Sequence, residues 1–220
     1  MTATDVPATR VPARGRRASR PSGDDRESAI LATAERLLAE QPFSEVSIDD
    51  LARGAGISRP TFYFYFPSKD AVLLTLVDRV VAEADAAAGD LLGRIAEDPA
   101  ARWRDTISRF YGTWRAHRAV ALAIAQVRGT NAEVRALWAS VLERWVHATE
   151  EAIRTERERG AAPPGLPARD LAVALISMNE QVVYATLAAD GPVVAESDVV
   201  DVLLAVWLNS IYRTTAPPPA

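Results

Sequence analysis

The sequence predicts an all-α fold, on three observations. Apolar residues recur at helical spacing along most of the chain, and no segment alternates as a half-buried strand would. Ser and Asp residues stand where helices would start, while Pro42, Pro67 and the stretch GAAPPGLPA at 160–168 stand where they would stop. At 220 residues the chain can bury one substantial core with a small module beside it.

Residues 1–22 carry Pro, Ser, Thr and Arg without an apolar period, and they read as a disordered basic arm. Asp24 and Asp25 suit a helix N-terminus, and Ile30, Leu31, Ala34, Leu37 and Leu38 then form one stripe that Pro42 ends. Ser47 starts a second, short helix with Ile48, Leu51 and Ala52 on one face, stopped by Gly54 and Gly56. Ser58 caps a third, with Pro60 tolerated in its first turn. Two short helices joined by Ala55, Gly56 and Ile57 make a helix-turn-helix.

The aromatic run Phe62, Tyr63, Phe64, Tyr65, Phe66 favours a strand by local propensity. Its flanks decide for a helix. At 3.6 residues per turn, Phe62, Tyr65 and Phe66 share an inward face, and Arg59, Pro60, Tyr63 and Phe64 share an outward one. A module of this size could not bury all five rings.

From Lys69 onward the pattern stays helical. Leu73, Leu74, Val77, Val80 and Val81 run along a long helix loosened by Gly89 and Gly93. Trp103, Ile107, Phe110 and Trp114 form the next stripe, and a short apolar segment spans 119–127. Val134, Trp138, Val141, Leu142, Trp145, Thr149 and Ile153 follow on a second long helix. Two strongly apolar helices, at about 168–188 and 196–213, precede a frayed tail at 214–220. Their apolar stripes are wide enough to need cover on more than one side, which a dimer and a pocket would supply.

Charge is segregated. The net charge is −4, yet residues 1–22 carry +4 and residues 53–69 carry +3, leaving −11 for the rest. Two basic islands on an acidic body suit a protein that meets phosphates at one end. The outward face then reads as a major-groove surface. Arg59 is placed for a guanine edge or a phosphate, Pro60 and Phe64 for thymine methyls, and Tyr63 and Lys69 for phosphates. Ser47, Ser58 and Thr61 are candidates for short hydroxyl contacts. Lys69 is the sole lysine of the chain. Arg14, Arg16 and Arg17 suit either a minor-groove arm or a solubilising tail.

Chemistry finds little support. Without cysteine there is no disulfide, thiol nucleophile or thiolate metal site, in keeping with a reducing cytoplasm. His117 and His147 are the only histidines and have no ligand-spaced partner. No phosphate loop, dinucleotide fingerprint or nucleophile elbow is present, so neither enzyme nor cofactor is expected. Asp49 beside Asp50, and Glu156 with Glu158, read as solvated helix faces. No apolar leader and no run of about 18 apolar residues point to secretion or a membrane, so a cytoplasmic location is expected.

The segment SIDDLARGAGISRPTFYFYFPSKDAVL, from Ser47 to Leu73, resembles the helix-turn-helix of the TetR family of transcriptional regulators. The RGRR of the arm, the tryptophans and Met178-Asn179-Glu180 are similar to the branch of that family containing ethionamide-resistance repressors. The resemblance implies a nine-helix subunit. Residues 23–68 would bind operator DNA, and 69–213 would hold a lipophilic effector and dimerise through the last two helices. Trp103, Phe110, Trp138, Leu142, Trp145, Thr149, Asn179, Tyr184 and Trp207 match pocket positions of the branch, with Ile107 and Val183 between them. Ile176 stands where a second pocket asparagine is usual, Tyr184 where phenylalanine is, and Phe64 where many members have histidine. The resemblance further implies control of a neighbouring oxidoreductase gene, with a flavin monooxygenase as the finer expectation. A helical carrier or hydrolase with a vestigial DNA-binding module is the reading from another class.

Overall fold

The computed structural model describes residues 23–88 and 93–219, all of whose regular structure is helical. Arg14, Arg16 and Arg17 lie outside the described residues. The first helix, α1 (Gly23–Glu40), carries Asp24 and Asp25 in its first turn and buries Ile30, Leu31, Ala34 and Leu37. α2 (Ile48–Gly54) and α3 (Arg59–Tyr65) follow, and both pack into a three-helix module, α2 against α1 and α3 against α2. Gly56, at φ +68, makes the left-handed turn between them.

Gly54 serves packing rather than turning. A Cβ there would lie 2.3 Å from Thr33 Cγ2, so the absent side chain is what lets α2 approach α1.

The long α4 (Lys69–Ala88) is capped by Ser68, whose hydroxyl accepts from the Ala71 N–H at 3.1 Å. It buries Val72, Leu73, Leu76, Val77, Val80, Val81 and Ala84, packing on α1 and also on α5, α6 and α7. Gly89 lies outside the described residues; Gly93 opens a turn into a short 3-10 segment, Ile95–Glu97, which periodicity did not reveal.

The body comprises α5 (Pro99–Ala116), α6 (Arg118–Val127), α7 (Ala132–Glu158), α8 (Ala168–Ala188) and α9 (Val199–Tyr212). Asp98 and Asn131 cap α5 and α7 through their side chains. α7 lies along α8, and α9 packs on α5 and α8. By length and composition α8 could cross a membrane, but here its buried residues, Leu171, Ala172, Leu175, Val183 and Leu187, pack within the helical body.

Two expectations are corrected. Glu156 is not on a solvated face: it is 0% exposed, accepts from Tyr212 Oη at 2.9 Å, and takes two bonds of 2.6 Å from Arg159. Periodicity could not find this because Tyr212, on α9, is distant in sequence. The segment after α9 is docked, not frayed, as far as Pro218: Pro217 is buried, and Arg159 donates to the Pro218 carbonyl at 2.8 Å.

Gly54→Ala should destabilise the chain by about 1–3 kcal/mol through this overpacking, and Thr33→Ser in the same chain should recover much of the loss by removing Cγ2. Gly112→Ala, in mid-helix with nothing within 4 Å of the added carbon, should be neutral or stabilising. Urea unfolding of the variants checks all three.

Candidate DNA-binding face and effector cavity

A capping box sets the start of α2. Ser47 Oγ accepts from the Asp50 N–H at 3.1 Å, and the Asp50 carboxylate accepts from the Ser47 N–H at 3.2 Å. The Ser47 hydroxyl and N–H hold the Asp50 carboxyl below the usual carboxylate range. Ser58 does the same for α3, accepting from the Thr61 N–H at 3.3 Å and lying 2.8 Å from Thr61 Oγ1. The hydroxyls of Ser47, Ser58 and Thr61 thus first fix the two helices that carry the face.

The aromatic run is divided as its helical period requires. Phe62 and Phe66 are buried, Tyr65 is half-buried, Tyr63 is 46% exposed and Phe64 is 83% exposed. Phe66 serves as the extended cap that ends α3. Arg59 and Pro60 lie exposed at the start of α3. Arg59 donates to Asp49 at 3.0 Å and to Tyr63 Oη at 3.3 Å, which holds its guanidinium between α2 and α3. Exposure and pairing with Asp49 leave it able to exchange that carboxylate for a phosphate or base.

Lys69 is a correction. Its ammonium donates to the carbonyls of Phe43 (2.9 Å), Ser44 (3.2 Å) and Val46 (2.9 Å), and it sits 4.7 Å from the centre of the Phe43 ring. All three donors of the ammonium are used. It is neither a phosphate contact nor a solvated charge; it closes the α1–α2 loop onto the start of α4.

In the body, a cavity of about 400 Å³ is walled by Trp103, Ile107, Phe110, Leu142, Trp145 and Trp207, with Thr149, Asn179 and Ile176 among its lining residues. Trp103 and Trp207 pack at 4.9 Å between ring centres, and Phe110 meets Trp145 edge-to-face at 5.1 Å. Trp138, Val183 and Tyr184 do not line this cavity. They line a smaller neighbouring one of about 40 Å³, with Phe110 and Glu180 common to both.

The polar groups of the wall are few. Trp207 Nε1 donates to Asn179 Oδ1 at 2.9 Å. Because an indole N–H can only donate, the amide oxygen must face Trp207, and the Asn179 NH₂ is left without a partner among the described residues. Trp103 Nε1 donates to Tyr212 Oη at 3.1 Å, and Tyr212 passes its own proton toward Glu156. Burial first, and then the nearby Glu156 carboxylate, push the Tyr212 hydroxyl far above the usual tyrosine range. The ring of Trp103 is therefore held from behind by a neutral phenol.

Four further polar lining residues escaped sequence reasoning: Asp85, Thr106, Arg144 and Glu180. Asp85 on α4 accepts from Trp145 Nε1 at 3.1 Å and from Arg144 at 3.2 Å. It continues the Val77 and Val81 stripe, and a carboxylate in that register was the available signal. Glu180 pairs with Arg128 and accepts from Trp138 Nε1 at 2.9 Å; a charge beside Asn179 in an otherwise apolar helix was the corresponding sign.

Residues 30–76 match the model of bacterial regulatory proteins of the tetR family, and residues 103–213 match that of the transcriptional regulator EthR, C-terminal domain. The HTH-type transcriptional regulator EthR of Mycobacterium tuberculosis is 53% identical over 204 residues, covering 90% of this chain and 93% of that protein. This chain belongs to the TetR family. Within the family it carries an EthR-type body. EthR of Mycolicibacterium smegmatis is 49% identical over 211 residues, covering 96% of this chain and 97% of its own. The fold is similar to that of NalD from Pseudomonas aeruginosa, the secondary repressor of the MexAB-OprM multidrug efflux pump, with a TM-score of 0.72 at 19% identity over 87% of this chain and 99% of that one. A TetR-family chain of this type is a DNA-binding transcriptional regulator and not an enzyme, which removes the hydrolase reading.

Lys69→Met should cost about 2 kcal/mol of stability, since three carbonyls lose a charged donor. Thermal unfolding without DNA measures it; a melt equal to that of the parent chain would contradict the clamp.

Proposed function

We propose that the chain is a homodimeric repressor that leaves its operator when a lipophilic small molecule fills the body cavity. The observation that carries this reading is the Trp145–Asp85 hydrogen bond, which joins a ring of the cavity wall to α4. α4 in turn packs on α1 of the DNA-binding module. A ligand that displaces Trp145 would move α4, and with it the two recognition helices. These would have to sit about 34–36 Å apart to meet successive half-sites. Release requires that the ligand bind the DNA-incompetent arrangement better, because equal affinity for both shifts nothing.

The effector is apolar over most of its surface and offers a hydrogen-bond acceptor, such as a carbonyl, to the Asn179 NH₂. On DNA, Arg59 takes a guanine edge or phosphate, Phe64 and Pro60 meet thymine methyls, and Tyr63 reaches a phosphate. Ser47, Ser58 and Thr61 add hydroxyl contacts, while Arg14, Arg16 and Arg17 add a salt-sensitive gain. Dimerisation runs through α8 and α9, where Val173, Val202 and Val206 are exposed in the single chain. Control of a neighbouring oxidoreductase gene, a monooxygenase among them, completes the proposal and rests on family resemblance; cytoplasmic location follows from action on DNA.

Fluorescence anisotropy with the DNA upstream of the chain's own gene, at two salt concentrations and against scrambled DNA, tests the reading. Specific binding that weakens with salt is expected. Phe64→Ala should lose discrimination at its base pair, by at most about 1–3 kcal/mol, with an unchanged melt, and Tyr63→Phe should weaken all sequences alike. Equal binding of both DNAs by the parent chain would overturn the operator assignment.

A further inference from the structure

His117 occupies the junction between two body helices. Its N–H donates to the Thr113 carbonyl at 3.0 Å, closing α5, and its own carbonyl accepts from the Ala121 N–H at 3.1 Å, opening α6. From that pivot the ring reaches two other elements. Nδ1 lies 2.5 Å from Glu35 Oε1 on α1, and Nε2 lies 3.1 Å from Glu83 Oε2 on α4. Thus one side chain of the body touches both the DNA-binding module and the helix that leads out of it.

The two carboxylates fix what the ring must be. A neutral imidazole has a single N–H, so one of its nitrogens would turn a lone pair toward a carboxylate oxygen. Only the doubly protonated ring can donate to both. We propose that His117, Glu35 and Glu83 form a proton-binding latch, in which one proton ties the DNA-binding module and α4 to the body and biases where the recognition helix sits.

The electrostatics agree with this geometry. Burial alone would lower the proton affinity of the ring, but the hydrogen bonds and charges of Glu35 and then Glu83 outweigh it, so the imidazole is raised above its usual range. Those two carboxylates are the charged groups that face the ring from α1 and α4. The sign follows from the raised value. The latch contributes its full stability below the ordinary imidazole pKa of about 6.5 and loses it as pH rises through the raised one.

Only the last link, to DNA, rests on the operator reading; the latch can be tested without it. The chain has two histidines, so the His117 ring signals in an NMR titration are assigned by comparison with His117→Gln. Glu83→Gln, at a largely exposed position, and Glu35→Gln should each lower the pH at which His117 titrates. A titration unmoved by both overturns the latch. The thermal stability of the parent chain relative to His117→Gln should fall as pH rises through that interval. Operator affinity should then follow a pH profile that differs between parent and Glu83→Gln, by up to about tenfold for each unit by which the ring's pKa differs between the free and bound arrangements. Parallel profiles overturn the coupling to DNA. Absence of operator binding at every pH would instead defeat the operator reading, and the NMR titration would still decide the latch.

Discussion

The burial of Val72, Leu73, Leu76, Val77, Val80 and Val81 along α4 makes one helix part of two assemblies, since α4 packs on α1 on the DNA-binding side and on α5, α6 and α7 on the body side. A close-packed interior does not deform smoothly, so a shift in one assembly is handed to the other as a displacement of the whole helix. The polar contacts of α4 reinforce that sharing. Lys69 at its start gathers three carbonyls of the α1–α2 loop, Glu83 meets the His117 ring, and Asp85 meets Trp145 and Arg144. The first locks α4 to the DNA-binding module; the other two connect it to the body.

The body divides its polar groups between two uses. On one side of the aromatic wall, Trp103, Tyr212, Glu156 and Arg159 form a chain in which the buried carboxylate is paired and hydrogen-bonded, as its burial demands. That chain joins α5, α7 and α9 and fixes the ring of Trp103. At Asn179 the satisfaction is incomplete: the oxygen has Trp207, and the amide nitrogen faces no protein acceptor among the described residues. A largely apolar wall with an open amide donor is a selective surface, because a buried donor left unpaired is costly and an acceptor that meets it is rewarded.

Local signals made the helices legible. Ser47 with Asp50 and Ser58 with Thr61 sit at cap spacing, Gly56 takes the left-handed turn, and the 3.6-residue period sorts Phe62 and Phe66 from Tyr63 and Phe64. Family resemblance, not the stripes alone, pointed to Trp103, Phe110, Trp145 and Trp207 as pocket positions, and all four line the cavity. What stayed hidden depends on contacts across long sequence separations. Nothing near Lys69 tells that its ammonium folds back onto Phe43, Ser44 and Val46. Nothing near Glu156 announces Tyr212, and a periodic stripe cannot say that Trp138 and Tyr184 turn to a separate, smaller cavity. Charged residues are read as solvated by default, and Glu150, Glu156 and Glu180 are places where that default fails.

The central claim is that occupancy of the cavity is converted into displacement of the recognition helices through α4. The chain lacks cysteine, so Glu45→Cys on the exposed α1–α2 loop gives each subunit a single spin-label site. The decisive measurement is the label-to-label distance in the dimer by pulsed electron resonance, with Ile176 and with Ile176→Trp, a substitution that fills the cavity without any added ligand. The account predicts a distance change of several Å, on the scale of known interface shifts, together with loss of operator binding in a folded protein. An unchanged distance with operator binding retained, in a chain whose cavity is demonstrably filled, would contradict it.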